Sequence, residues 1–221
     1  MEYIFCAIFG YLLGCSNMAY YISLFKKVDL RKTGTGNYGT MNAFVEIGKR
    51  AGILVFIHDV GKGALAVLLA KWIFPKTALA AYIAGFATVF GHIFPFYMHF
   101  KGGKGFAPYG GAVLALNPEY GFLMLAIVIV MILIVNYVVV GNYATIISYP
   151  IYLLIRGNWQ GAIAATVVGT LVGVKHFENI KRIIAGTEKK TRDGLMRKKS
   201  VGAVELELAA AENAENPETT E

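Results

Sequence analysis

Charge is scarce in this chain, and the shortage decides its class. Only 16% of the 221 residues are Asp, Glu, Lys or Arg, while 56% are hydrophobic. Soluble domains carry about 25% charged residues, so an ordinary soluble enzyme or binding module is excluded and an integral membrane protein is indicated. Alternation of polar and apolar residues is also missing. The apolar runs are long and continuous, which excludes the alternating strands of a membrane barrel. Helices remain, because they satisfy every backbone group inside lipid. Cysteine is nearly absent: Cys6 and Cys15 both lie in the first apolar run. Two such residues offer neither a disulfide framework nor metal-ligand spacing, and read as small apolar residues of a membrane helix. The first run is preceded by one acidic residue, Glu2, not by the basic stretch of a cleaved signal peptide.

What is present is a set of seven apolar segments: 3–25, 51–74, 78–97, 106–116, 120–140, 143–155 and 160–174. A spanning helix needs about 20 residues. Segments 106–116, 143–155 (broken by Pro150) and 160–174 are short enough to be tilted, re-entrant or buried in the bundle. The expected fold is an all-α membrane protein, a compact bundle of about seven transmembrane helices, some of them short. With the N-terminus outside and every segment crossing, connectors 26–50 and 99–105 and the chain from Lys175 lie on one side. Those stretches hold seventeen of the twenty-one basic residues, and an excess of Lys and Arg marks the cytoplasmic side. Residues 1–190 are read as the membrane domain and 191–221 as a cytoplasmic tail, basic and then acidic. Ser200–Glu221 has six Glu and no Lys or Arg, which suits a disordered end; without it the formal charge rises from +7 to +13.

Three polar clusters fall on that basic side. The first, Gly34-Thr35-Gly36-Asn37-Tyr38-Gly39 with Asn42, matches the G-x-G-x-x-G pattern of dinucleotide folds. That pattern carries weight only between a strand and a helix, and the connector before it is too charged for a buried strand. The second is Gly91-His92-Ile93-Phe94-Pro95 with Lys101-Gly102-Gly103-Lys104-Gly105, and the third is His176 to Arg182 with Gly186-Thr187-Glu188. Glycines let successive N–H groups turn toward one anion, and Lys104 adds charge, so two such loops on one face suit a phosphate. Asp59 and Lys62 stand one turn apart within an apolar helix, which leaves two roles open: an ion pair, or a brace for the phosphate site. His92 is either a base or a hydrogen-bonded interfacial residue. His176 and Asn179 share a helix face, as a polar-substrate site or a cap requires.

In order and spacing these blocks resemble the bacterial acyl-phosphate:glycerol-3-phosphate acyltransferase family over roughly residues 3 to 190. They are Thr35-Gly36-Asn37-x-Gly39-x-x-Asn42, Asp59-x-x-Lys62-Gly63, Gly91-His92-x-Phe94-Pro95 with Gly102-Gly103-Lys104-Gly105, and His176-x-x-Asn179-Ile180-x-Arg182 with Gly186-x-Glu188. The resemblance implies a seven-helix enzyme with three cytoplasmic motifs. In such an enzyme the 1-hydroxyl of glycerol 3-phosphate attacks an acyl phosphate, without coenzyme A or a metal. It implies catalytic roles for Lys104, His176 and Asn179. It implies substrate-binding roles for Thr35, Gly36, Asn37, Gly39, Asn42, Asp59, Lys62, His92, Gly102, Gly103, Arg182 and Glu188. Membrane lipid is the other expected partner, and nucleic acid is not one. An acyl groove is expected at the small residues Ala84, Gly85 and Ala87. The chain departs from the family pattern at Thr35 (a serine there), Tyr38 (proline), Thr40-Met41 (alanine-threonine), Val45 (arginine) and Pro108 (threonine). Valine removes the two-bond grip of a guanidinium on phosphate. The alternatives are a small-anion transporter, or a divergent member of the family with another acceptor or no activity.

Overall fold

The computed structural model describes residues 1–196. Its elements are α1 (Glu2–Cys15), α2 (Met18–Lys26), α3 (Thr40–Glu46), α4 (Lys49–Ile73), α5 (Ala78–Ile93), α6 (Phe106–Leu116), α7 (Pro118–Val135), α8 (Val138–Ile155), α9 (Trp159–Ile184) and α10 (Thr191–Met196), with one 3-10 turn at Phe96–Met98. No strand occurs among the described residues, so the expected all-α class holds and the glycine pattern at Gly34 has no strand before it. Five stretches are long and apolar enough to cross a membrane: Glu2–Lys26, Lys49–Ile73, Ala78–Met98, Pro118–Val135 and Val138–Ile155. The 11 residues of α6 rise only about 16 Å and fall short of a ~30 Å core.

Four segment expectations need correction, one of them the run 143–155, read as short and broken at Pro150, which lies within the continuous 18-residue α8 (Val138–Ile155). The first run is not one helix: the chain breaks at Ser16-Asn17, where the Asn17 side chain accepts a bond from Tyr20 N–H and starts α2. The run 120–140 is divided at Asn136, whose left-handed φ of 61° ends α7. The last apolar segment is not short, because α9 continues for 26 residues through Ile184. Its final turns carry His176 to Arg182, and Gly186-Thr187-Glu188 follow its end. Beyond it, α10 is tied to the α7–α8 corner, where Thr191 N–H donates to the Asn136 carbonyl at 2.8 Å. The acidic end lies outside the described residues.

Glycine and alanine let the helices meet backbone to backbone. A Cβ on Gly10 would overlap the Ala84 carbonyl oxygen, on Gly14 that of Thr88, and on Gly91 that of Tyr11, so α1 lies directly against α5. Gly63 meets the Pro108 carbonyl and Gly111 that of Val60, which joins α4 to α6. Without hydrophobic solvent to drive association, such close van der Waals contact is what holds membrane helices together. The same contacts remove the groove expected at Ala84, Gly85 and Ala87: Ala84 is fully buried and Gly85 packs against Val67 and Ala112.

The connectors sort to two ends. At one end Thr77 donates to Glu2, and the Asn117 side-chain oxygen accepts from Tyr82 and Tyr149. Asn158 donates there to Tyr82. The other end gathers 27–39, 99–105, 136–137 and 185–191 and holds all three polar clusters. Gly63→Val is expected to lower the thermal midpoint in detergent, an overpacking cost of about 1–3 kcal/mol. Gly61→Val, whose new Cβ meets nothing within 4 Å, is expected to leave the midpoint nearly unchanged.

Candidate active site

The first cluster is built around one amide. The Asn42 side chain accepts from Thr35 N–H at 2.9 Å and donates to the carbonyls of Leu30, Thr33 and Asn37. Four bonds to one buried side chain wrap residues 30–37 around it. Gly34 and Gly36 take left-handed φ angles of 57° and 68°, which lets the wrap close without strain. Asn37 donates to the Thr35 hydroxyl at 2.9 Å, and Gly39 precedes α3 as its cap residue. Thr35, Gly36 and Asn37 remain at the surface, available to a ligand. Asn42 has no N–H left to offer an anion, and its bonds shape the loop.

Two residues not expected at the site connect this loop to the second cluster. The Arg31 guanidinium donates to the carbonyls of Met98 and Lys101, both at 3.0 Å, and lies 5.1 Å from the Tyr38 ring centre. Tyr38 is buried with Leu30, Ala43, Val55 and Met98 and meets Tyr20 edge to face at 5.5 Å. The aromatic ring that replaces proline thus serves as packing and as the platform for Arg31. Val45 is buried on α3. Lys49 and Arg50 are exposed at the start of α4. Pro108 sits in the first turn of α6, where a missing N–H costs nothing.

The second cluster corrects the expected use of its glycines. Gly102 N–H donates to Ile93 carbonyl at 3.0 Å and Gly103 N–H to His92 carbonyl at 3.2 Å. Those donors are spent, so the two glycines do not form an anion nest. They permit close packing instead: a Cβ on Gly102 would overlap the His92 carbonyl, and one on Gly103 the His92 ring.

Asp59, Lys62 and His92 form a buried cluster of their own. Lys62 Nζ pairs with Asp59 Oδ1 at 2.8 Å, donates to Ser16 carbonyl at 2.6 Å and lies 2.8 Å from His92 Nδ1. His58 adds a bond to Ser16 Oγ at 2.9 Å and stands 3.4 Å from Asp59. An ammonium has three N–H donors, and all three of Lys62 are committed. The ion pair is formed, and no Lys62 N–H is left for a direct bond to a phosphate.

The third cluster meets the second directly. Lys104 Nζ donates to Asn179 Oδ1 at 2.5 Å, Asn179 Nδ2 donates to Glu188 at 2.5 Å, and Arg182 Nε donates to the other Glu188 oxygen at 2.6 Å. Arg182 Nη2 is buried with no partner among the described residues. The cluster holds two cations and one carboxylate, with Glu188 paired to Arg182 and linked to Lys104 only through the Asn179 amide, which leaves positive charge for an anion. Burial pushes the Lys104 ammonium down to about 8, helped by the Arg182 charge and opposed by Glu188. His176 Nδ1–H donates to Val172 carbonyl at 2.8 Å, and its Nε2 faces the Asn142 amide at 3.3 Å. That fixes the imidazole with its proton on Nδ1. Asn142, on α8, had no sequence motif to announce it. Lys189, 3.8 Å from Glu46, brings the end of the third cluster against α3. No group of three His, Cys, Asp or Glu side chains suited to a metal occurs among the described residues.

The family model described as glycerol-3-phosphate acyltransferase matches residues 4–186. The chain belongs to the glycerol-3-phosphate acyltransferase family. A family protein from Clostridioides difficile is 39% identical over 194 residues, 86% of this chain and 95% of that protein. One from Aquifex aeolicus is 35% identical over 189 residues, 85% of this chain and 98% of its own. The crystal structure of PlsY, an integral membrane glycerol 3-phosphate acyltransferase, in its glycerol 3-phosphate form superposes with a TM-score of 0.82. It is 34% identical and is covered over its whole length by 89% of this chain. The lysophosphatidic acid form gives a TM-score of 0.79 at 32% identity. All three polar clusters except Thr187 and Glu188 fall inside the stretch the family model matches.

Asn42→Ala is expected to cost about 2–4 kcal/mol, four bonds at about 1 kcal/mol each less what water restores. A lowered unfolding midpoint in detergent, together with faster proteolysis between residues 30 and 40, measures it.

Proposed function

We infer that this chain is an integral membrane acyltransferase that moves an acyl group from acyl phosphate to the 1-hydroxyl of glycerol 3-phosphate, for phospholipid synthesis. The hydroxyl oxygen forms the new ester bond to the acyl carbon, the acyl carbon–phosphate oxygen bond breaks, and inorganic phosphate and 1-acyl-glycerol 3-phosphate leave. The single observation that carries this reading is the contact of Lys104 with Asn179, continued through Glu188 to Arg182. Residues 75 apart in sequence meet as a cationic pocket at the end of the bundle where Thr35 and Gly36 are exposed and Asn37 is half-buried.

Acyl phosphate is already activated, so much of the rate follows from holding the hydroxyl against the carbonyl. Lys104 and Arg182 stabilise phosphate charge in a site partly withdrawn from water. His176, neutral and oriented by Val172 and Asn142, contributes a fixed ring beside Asn179. The acyl chain has a place between α8 and α9, in an apolar groove of about 800 Å³ lined by Ile146, Ile151, Gly169, Gly173 and Val174. The groove ends at Phe177 and Glu178, on the same turns as His176 and Asn179. The membrane domain, residues 1–190, is the catalytic unit. Its basic end faces the cytoplasm, with the N-terminus outside and the tail 191–221 inside, because seventeen of twenty-one basic residues gather there and steer an anionic substrate to it.

Purified protein supplied with acyl phosphate and radiolabelled glycerol 3-phosphate is expected to form lyso-lipid, and Lys104→Ala to lower kcat/KM by about 100- to 1000-fold. Undiminished turnover in that variant would sink the assignment. The pH dependence follows from the sign of the Lys104 shift. Its charge is complete below about 8 and is lost above it, so KM for the phosphate substrates is expected to rise as pH passes 8. In Lys104→Arg the guanidinium stays charged and this limb is expected to disappear.

A further inference from the structure

We propose that His92 is the positioning residue for the Lys104 loop, held as its Nε2–H tautomer by the Lys62 ammonium, itself paired with Asp59, and setting, through Gly103, where Lys104 stands. For its activity readout the proposal rests on the acyltransferase reading; its spectroscopic readout does not.

The tautomer follows from donor arithmetic. Lys62 lies 2.8 Å from His92 Nδ1 and spends its other two N–H groups on Ser16 carbonyl and Asp59. An ammonium has no lone pair, so Nδ1 must accept and the ring proton sits on Nε2. The Asp59 carboxylate, 3.4 Å from the same Nδ1, is held by Lys62 and by His58. The ring therefore has one orientation, fixed by a charged pair that is itself buried to 2–4% exposure.

What that ring touches is the loop. His92 Nε2 occupies the space a Cβ on Gly103 would need, and Tyr38 carbonyl lies 2.9 Å from the same point. Gly103 is pinned from the other side by its bond to the His92 carbonyl, and Gly102 by its bond to Ile93. His92 thus holds Gly103 by both side chain and backbone, at the place where the second cluster presses against the first. Lys104 is the next residue, and its reach to Asn179 starts from that fixed point. A misplacement near 1 Å at such a site costs about 100-fold in rate.

The test uses the full chain in detergent, labelled with ¹⁵N-histidine, with the His92 signals identified by their loss in His92→Gln. A protonated Nε2 and an unprotonated Nδ1 are expected. A protonated Nδ1, or a doubly protonated ring, would overturn the proposal whatever the variants do. In the charge-neutral pair Asp59→Asn/Lys62→Met, in which neither remaining side chain donates from an ammonium, the ring is expected to show both tautomers. For activity, Gly103→Ala and His92→Ala are each expected to lower kcat/KM for acyl phosphate by about 10- to 100-fold. Their combination is expected to be no worse than His92→Ala alone, because the added methyl enters the space the ring has left. Losses that multiply would show that the two residues act independently and would overturn the contact as the means of positioning. Wild-type protein without turnover would refute the acyltransferase reading while leaving the tautomer result to stand or fall by itself.

Discussion

One ammonium ties three parts of the chain together. Lys62, in the middle of α4, donates to the carbonyl exposed by the break between α1 and α2, to Asp59 on its own helix, and to His92 at the end of α5. A lone charge at this depth costs about 3 kcal/mol, and a helix broken inside a membrane leaves carbonyls that must find partners. Each liability answers the other. Ser16 carbonyl takes one Lys62 N–H, and Cys15 carbonyl takes the Tyr97 hydroxyl at 2.8 Å. Removing either charge strands its partner, which is far more costly than never having buried the pair.

The site is built outward from that anchor. His92 places Gly103, Gly103 meets the Tyr38 carbonyl, and Arg31 joins Tyr38 to the carbonyls of Met98 and Lys101. Lys104 then extends to α9, where Asn179, Glu188 and Arg182 complete a pocket that is cationic in balance. The glycines of the second cluster contribute by being small. Their N–H groups are committed to α5, which leaves Lys104 and Arg182 as the charged groups of the pocket.

Much of the fold was legible in the sequence for a plain reason: lipid tolerates little besides apolar helices, so composition and run length nearly suffice. The boundaries were not legible. Asn136 divides a long apolar run because it adopts a left-handed turn, and Ser16-Asn17 breaks another because neighbouring side chains donate to its freed carbonyls. Neither event leaves a local mark beyond one or two polar residues. The residues Lys104, Asn179, Arg182 and Glu188 stood out because charge and amide groups beside apolar helices are rare. Arg31 and Asn142 did not, since an arginine in a basic connector and an asparagine in a helix are ordinary until their partners are known. Asn42 was noticed, and its geometry makes it the centre of a loop rather than a contact to substrate.

The residue order by itself determined that this is a helical membrane protein with a basic end and three polar clusters, because burial in lipid and charge bias are properties of local composition. Which donors are free was decided only by tertiary structure. A hydrogen bond has one donor and one place: Lys62, Gly102, Gly103 and Asn42 all carry polar groups suited to a phosphate, and packing against Ser16, Ile93, His92 and Leu30 has already used them. Lys104 donates to the neutral Asn179 amide, and Glu188, a single carboxylate, pairs with Arg182, so the cluster keeps a net positive charge.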